Sequence, residues 1–281
     1  MHTNYLAEVS TEAATGETAR IFEEIRRLSG GPLVALIYRH LATMPGALEA
    51  MWHSVAPLMA TGELQERAWE IARSAWAGPV PHASDGVRRM RPASLAFSID
   101  VIDAYNRSNP INYLIVSVIR AAHAGPGATR VAGVDAASSR AAPARSWTPP
   151  TRIASIASIP SMDALSVRYR AQVDGFAKRA GPGEPVLVPT LYRHLGHWPA
   201  VLSMTAREVQ PRLANGAFEP AIRAFREASG RAATELAQRH AIAAIPRLAT
   251  PKMNGVFDRF SQVIPEMVVV GSFLRRILDK V

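Results

Sequence analysis

The sequence predicts an all-α protein made of two tandem homologous helical repeats packed as a pseudo-twofold intramolecular dimer. Three observations carry this. First, the word Tyr-Arg-His-Leu occurs twice, at 38–41 and 192–195, each time followed by a proline, Pro45 and Pro199. Second, the offset persists outside the word: a displacement of 154 residues also places Leu33 on Leu187, Leu48 on Leu202, Val55 on Val209 and Pro57 on Pro211. A displacement of 155 places Asp103 on Asp258, Tyr105 on Phe260, Pro110 on Pro265 and Arg120 on Arg275; agreement in two distant blocks is the mark of internal duplication. Third, apolar residues recur at helical spacing through most segments and strand-like alternation is scarce.

The elements follow in order. In TEAATGETARIFEEIRRLSG, Ala14, Ala19, Ile21, Phe22 and Ile25 share a broad face, and Gly30 and Gly31 end the helix. Pro45 is placed to open PGALEAMWHSVAPLM, and Pro199 to open PAVLSMTAREVQPRL, because proline fits a first helical turn. QERAWEIARSAWA is amphipathic, and the loop AGPVPHASDGVRRMRP follows it. NPINYLIVSVIRAA reads as a buried helix capped by Asn109 with Pro110 at its first position. The organisation expected is a first repeat over 1–123, a Gly/Ala/Ser/Pro-rich linker over 124–160 and a second repeat over 161–281. The second repeat looks more helical where the first carries its loop.

Composition limits the function. A chain of 281 residues that is 48% hydrophobic can bury a sizeable core. It has no cysteine, which removes disulfides, thiolate metal sites and thiol catalysis. The polar N-terminal stretch and the lack of any long apolar run lead to the expectation of a soluble, cytoplasmic protein without a membrane partner. The net charge of +9 comes from arginines dispersed singly or in pairs, with only Lys178, Lys252 and Lys280 among the lysines. That distribution lacks the basic runs and interleaved aromatics of a nucleic-acid surface, though it would draw in an anionic substrate.

The pairing of LVALIYRHLATMPGALEAMW with YNRSNPINYLIV, and the later LYRHLGHWPAVL, resembles the group I 2-haloacid dehalogenases, which act on both enantiomers of their substrates. The likeness spans most of the chain. It implies an all-α internal duplication, no cofactor, a small carboxylic acid as substrate, and displacement of halide at C2 by a water that a buried carboxylate activates. Asn109 matches the asparagine that holds water and substrate in that family. The carboxylate position, just before the aromatic residue of the second motif, is Leu191, and leucine takes no proton; losing a general base costs about 10² to 10⁴ in rate.

The catalytic candidates are therefore Asn109 and, as substitute base, His194, with Glu184 as another carboxylate upstream. The expected pocket between the halves is built from Leu33, Leu36, Ile37, Asn112, Thr190, Leu191 and Tyr192. His194 and His197 form an HxxH pair without convergent carboxylates, so no metal site is expected. Arg39 and Arg193 could grip a substrate carboxylate in a bidentate fork, but, repeated like Asp103 and Asp258, they are expected rather to pair with such helix carboxylates; Ser117 is expected to bond its own helix backbone. Three readings stand: a refitted, more apolar dehalogenase-like enzyme; a non-catalytic binding or scaffold protein; and dehalogenation through a relocated base. Homodimer formation is left open.

Overall fold

In a computed structural model the described residues are 4–124, 147–150, 153 and 155–281. Most of the expected 124–160 linker lies outside them. The fold is all-α: among the described residues the only β contacts are isolated bridges, Tyr5 with Val186 and Lys178 with Leu187.

The first repeat contains α1 (Gly16–Ser29), α2 (Leu36–Leu41), α3 (Ala47–Thr61), α4 (Glu63–Ala72), the short α5 (Asp85–Arg88) and α6 (Pro92–His123). The second contains α7 (Val167–Asp174), α8 (Thr190–His194), α9 (Pro199–Ala214), α10 (Glu219–Arg239) and α11 (Pro251–Leu278). The apolar stripe of α1 buries Ile21, Phe22, Ile25 and Leu28. It stops at Gly30, whose φ of 67° is the left-handed cap that glycine tolerates best. α1 packs on α3, and the equivalent α7 packs on α9. Trp52 on α3 is fully buried and donates its indole N–H to Glu24 on α1 at 2.7 Å.

Two contacts are exchanged between the repeats. α5 of the first repeat packs on α9 of the second, and the 3-10 turn Pro246–Leu248 of the second packs on α3 of the first, where Arg247 donates to the carbonyl of Pro45 at 2.8 Å. Two ion pairs are exchanged in the same way: Arg275 meets Asp103 at 2.9 Å, and Arg120 meets Asp258. These are duplicated residues answering each other across a pseudo-twofold axis. At the axis the long helices α6 and α11 lie against one another, and α10 covers α6.

Asn109 does not cap a helix. α6 runs unbroken through Asn109 and Pro110, and α11 likewise runs through Pro265. An internal proline removes one helical hydrogen bond and costs about 3 kcal/mol. Burial outweighs that cost, because Val101, Ile102, Ile111, Leu114, Ile115 and Val118 on either side of the proline in α6 are each at most 1% exposed, and each large apolar side chain gains about 1.5–3 kcal/mol. The other expected start also moves: α3 begins at Ala47, two residues past Pro45, behind Gly46 in the left-handed region, whereas α9 does begin at Pro199.

A cavity on the pseudo-twofold seam

α2 and α8 are equivalent short helices, each preceded by an extended apolar stretch that Gly-Pro or Glu-Pro-Val sequence keeps out of a helix. Their first turns meet the middles of α6 and α11 and enclose a cavity of about 40 Å³. A buried water needs roughly 10–15 Å³ by this measure, so the space suits a compound of a few heavy atoms. All wall residues except Ala35 are buried.

The wall is built in equivalent pairs. Leu33 is matched by its repeat partner Leu187, and Ile37 by Leu191. From the long helices come Tyr105 with Phe260, Ser108 with Val263, Asn109 with Ile264, and Asn112 with Met267. In each of these four pairs the polar member belongs to α6 and the apolar member to α11. The cavity is thus symmetric in outline and amphiphilic in chemistry. Leu36 and Thr190 reverse the pattern, placing one hydroxyl on the α8 side.

Asn109 and Asn112 are 8% and 4% exposed, and among the described residues neither Nδ2 has a hydrogen-bond partner. A buried amide left so costs about 1–3 kcal/mol. A bound molecule that brings acceptors recovers that cost. Carboxylates, histidines, lysines and arginines are absent from the wall; Tyr105 is its one titratable group among the described residues. Burial pushes the Tyr105 phenol up to about 12, with Thr190, Arg39 and Arg193 pulling the other way.

Of the residues expected from sequence, Leu33, Leu36, Ile37, Asn109, Asn112, Thr190 and Leu191 line this cavity. Tyr192 does not. Its ring turns away and stacks on Phe176, centroids 3.6 Å apart. His194 stands behind the wall, fully buried, with Nδ1 3.4 Å from the Tyr105 hydroxyl. Burial depresses His194 to about 4, and His197, Arg193 and Arg39 repel its proton further while the Ala157 backbone favours it. Glu184 lines a separate surface cleft with Arg179 and Arg259. Glu266 is mostly buried near the seam but pairs with Lys178 at 2.7 Å and does not line the cavity. His197 Nε2 meets the Ser158 carbonyl at 2.8 Å, and no cluster of three or more His, Asp or Glu suited to a metal occurs among the described residues.

The duplicated arginines do not pair with Asp103 or Asp258. Both meet Glu8: Arg39 at 2.9 Å and Arg193 at 3.1 Å. Glu8 sits on an N-terminal arm fixed by backbone bonds from Leu6 to Val186 and from Val9 to Arg39. Two guanidinium groups sharing one carboxylate leave net positive charge behind Tyr105. No periodicity marks Glu8 in the sequence; the one available signal is that two repeated arginines lack a repeated acid beside them. Tyr105, matched in the sequence only as the repeat partner of Phe260, also lines the cavity, as do Ser108, Phe260, Val263, Ile264 and Met267, none of which the expected pocket included.

No protein-family model matches the chain, and no curated protein sequence matches it. Solved structures do. A D-2-haloacid dehalogenase in complex with L-LA aligns over 99% of this chain and 96% of its own at 17% identity, with a TM-score of 0.62. A D-2-haloacid dehalogenase mutant in complex with D-2-CPA aligns over 99% and 95% at 18% identity, with a TM-score of 0.59. A further mutant of that type aligns over the same shares at 18% identity with a TM-score of 0.58. The described residues share their fold.

Proposed function

We propose that the seam cavity binds a small 2-substituted carboxylic acid and that the protein is a small-molecule enzyme of the haloacid-dehalogenase kind with a more apolar, refitted pocket. The carrying observation is the amphiphilic wall: unpartnered amide donors of Asn109 and Asn112 on α6, opposite Ile264 and Met267 on α11. The carboxylate would lie toward the amides, and the alkyl group and 2-substituent toward α11. Net positive charge behind Tyr105 favours an anion there. Attack of water on C2 from the Asn109 side would release the substituent as an anion. With Leu191 in the wall, the water's proton must leave through another group, and His194 behind Tyr105 is the candidate.

A second reading has its own support. A wall without a carboxylate is also what a binding module that no longer catalyses would have.

Chloride release from racemic 2-chloropropionate separates the two. Release that falls at least about tenfold in Asn109→Ala and persists without a carboxylate supports the enzyme. Release absent in the wild type but gained in Leu191→Asp supports the binding module. If neither protein releases chloride and the wild type does not bind the acid, the cavity is not an acid site.

A further inference from the structure

We propose that Tyr105 is a catalytic residue, its hydroxyl taking the proton of the attacking water as its own proton passes to Nδ1 of His194. The proposal rests on the reading of the cavity as a small-acid site. It supplies the proton acceptor that the wall otherwise lacks.

The geometry comes first. Tyr105 is a cavity residue whose side chain reaches His194, its hydroxyl lying 3.4 Å from Nδ1 with the rings edge to face. Thr190, the hydroxyl on the α8 side of the wall, acts on the phenol in the direction that favours its ionised form. His194 Nε2 makes no well-aligned hydrogen bond among the described residues, although the Ala157 backbone bears on the ring. An Nδ1 that accepts from Tyr105 requires the proton to sit on Nε2.

The duplication supplies an internal comparison. The equivalent of His194 is His40, and the equivalent of Tyr105 is Phe260. These two rings are also close, with centroids 6.3 Å apart, against 5.9 Å for Tyr105 and His194. In that copy there is no hydroxyl, and His40 Nδ1 is bound at 2.7 Å to the carbonyl of Ala7, so it carries the proton. One copy therefore ties its imidazole to the backbone. The other joins it through a phenol to the cavity.

The step balances. The water oxygen forms a bond to C2 as the carbon–halogen bond breaks and its electron pair leaves with the halide. The water proton goes to the Tyr105 oxygen, the Tyr105 proton to Nδ1, and the products are the hydroxy acid, halide, neutral Tyr105 and a His194 imidazolium. Arg39, Arg193 and His197 repel the imidazolium, and burial disfavours it, so its proton is shed before the next turnover. Held at about 4, the imidazole matches the basicity of an aspartate carboxylate, about 3.9. Glu8, which faces Arg39 and Arg193, tempers the positive charge at the phenol.

The test compares wild type, Tyr105→Phe and His194→Gln in chloride release from racemic 2-chloropropionate as a function of pH, with calorimetric binding of the same acid. Tyr105→Phe and His194→Gln should each lose about 10² to 10⁴ in rate while binding changes less than about threefold. The wild-type rate should fall as pH drops through about 4, and that acid limb should be missing in His194→Gln. Tyr105→Phe removes one hydroxyl and preserves the ring packing, so it decides the matter even if His194→Gln does not fold. Tyr105→Phe within about threefold of the wild-type rate, an acid limb unmoved in folded His194→Gln, or a wild type that binds the acid without releasing chloride overturns the relay and leaves the acid site standing. A wild type that does not bind the acid overturns both.

Discussion

Asn109 and Asn112 occupy one face of α6, three residues apart; both line the same small space and both carry an amide without a partner among the described residues. A hydrogen bond to a charged acceptor is worth about 1.5–3 kcal/mol, so Asn109→Ala or Asn112→Ala should weaken 2-chloropropionate about ten- to a hundredfold in a calorimetric titration. Their repeat partners Ile264 and Met267 make no such bond, and Met267→Leu should leave affinity within about threefold. Glu8 is the residue on which buried charge depends. Arg39 is 4% exposed, and removing the partner of a buried charge costs about 3–5 kcal/mol. With Glu8 itself one-fifth exposed, Glu8→Gln should lower the unfolding free energy by about 3 kcal/mol in urea, and Arg39→Met in the same chain should restore much of it. A loss under about 1 kcal/mol would mean that the arginines find other partners.

At the scale of elements, the exchanged pairs Arg275–Asp103 and Arg120–Asp258 orient α6 against α11 more than they stabilise it. Burial raises the Asp103 carboxyl above its ordinary range although Arg275 pulls it down, so ionisation there costs more in the folded chain than in the unfolded one. Asp103→Asn should therefore change the unfolding free energy at pH 7 by less than about 1 kcal/mol, since both partners are about a third exposed. The duplication was legible as matched letters because equivalent helices need equivalent buried residues, as Leu48 and Leu202 show, both fully buried. The course of α6 was not. Asn-Pro is a local start signal, and burial of α6 on both sides of Pro110, in a helix packed on α4, α10 and α11, overrides it. Five wall residues could be placed because the repeat locates α2 and α8 and the stretches before them, and Asn109 and Asn112 because the Asn-Pro motif marks their helix. Tyr192 could not, since its neighbour Leu191 faces the cavity and a one-residue step around a helix turns a side chain by about 100°.

For the whole molecule, the pseudo-twofold axis creates the cavity and sequence divergence makes it directional, with donors on α6 and apolar side chains on α11. Burial of His194 also sets an acid sensitivity. A histidine held at about 4 when folded and about 6.5 when unfolded binds more protons unfolded between those values. Stability is thus full above about pH 6.5 and falls by up to about 3 kcal/mol as pH drops to about 4, with no further loss from this group below that. His40 and His123, also depressed by burial, act in the same direction. Urea midpoints of wild type and His194→Gln should converge as pH is lowered through that window, and parallel curves would show that His194 titrates normally.

If the seam is the acid site, the α6 amides hold the acid directly. The most direct measurement follows the side-chain amide resonances of Asn109 and Asn112 in ¹⁵N-labelled protein, assigned by substitution, during titration with 2-chloropropionate. Both amides should shift saturably with a common affinity, and the shift should be lost for the remaining asparagine when the other is replaced by alanine unless far more acid is added. Amides that stay in place while the acid saturates another part of the molecule, or do not respond at all, would contradict it.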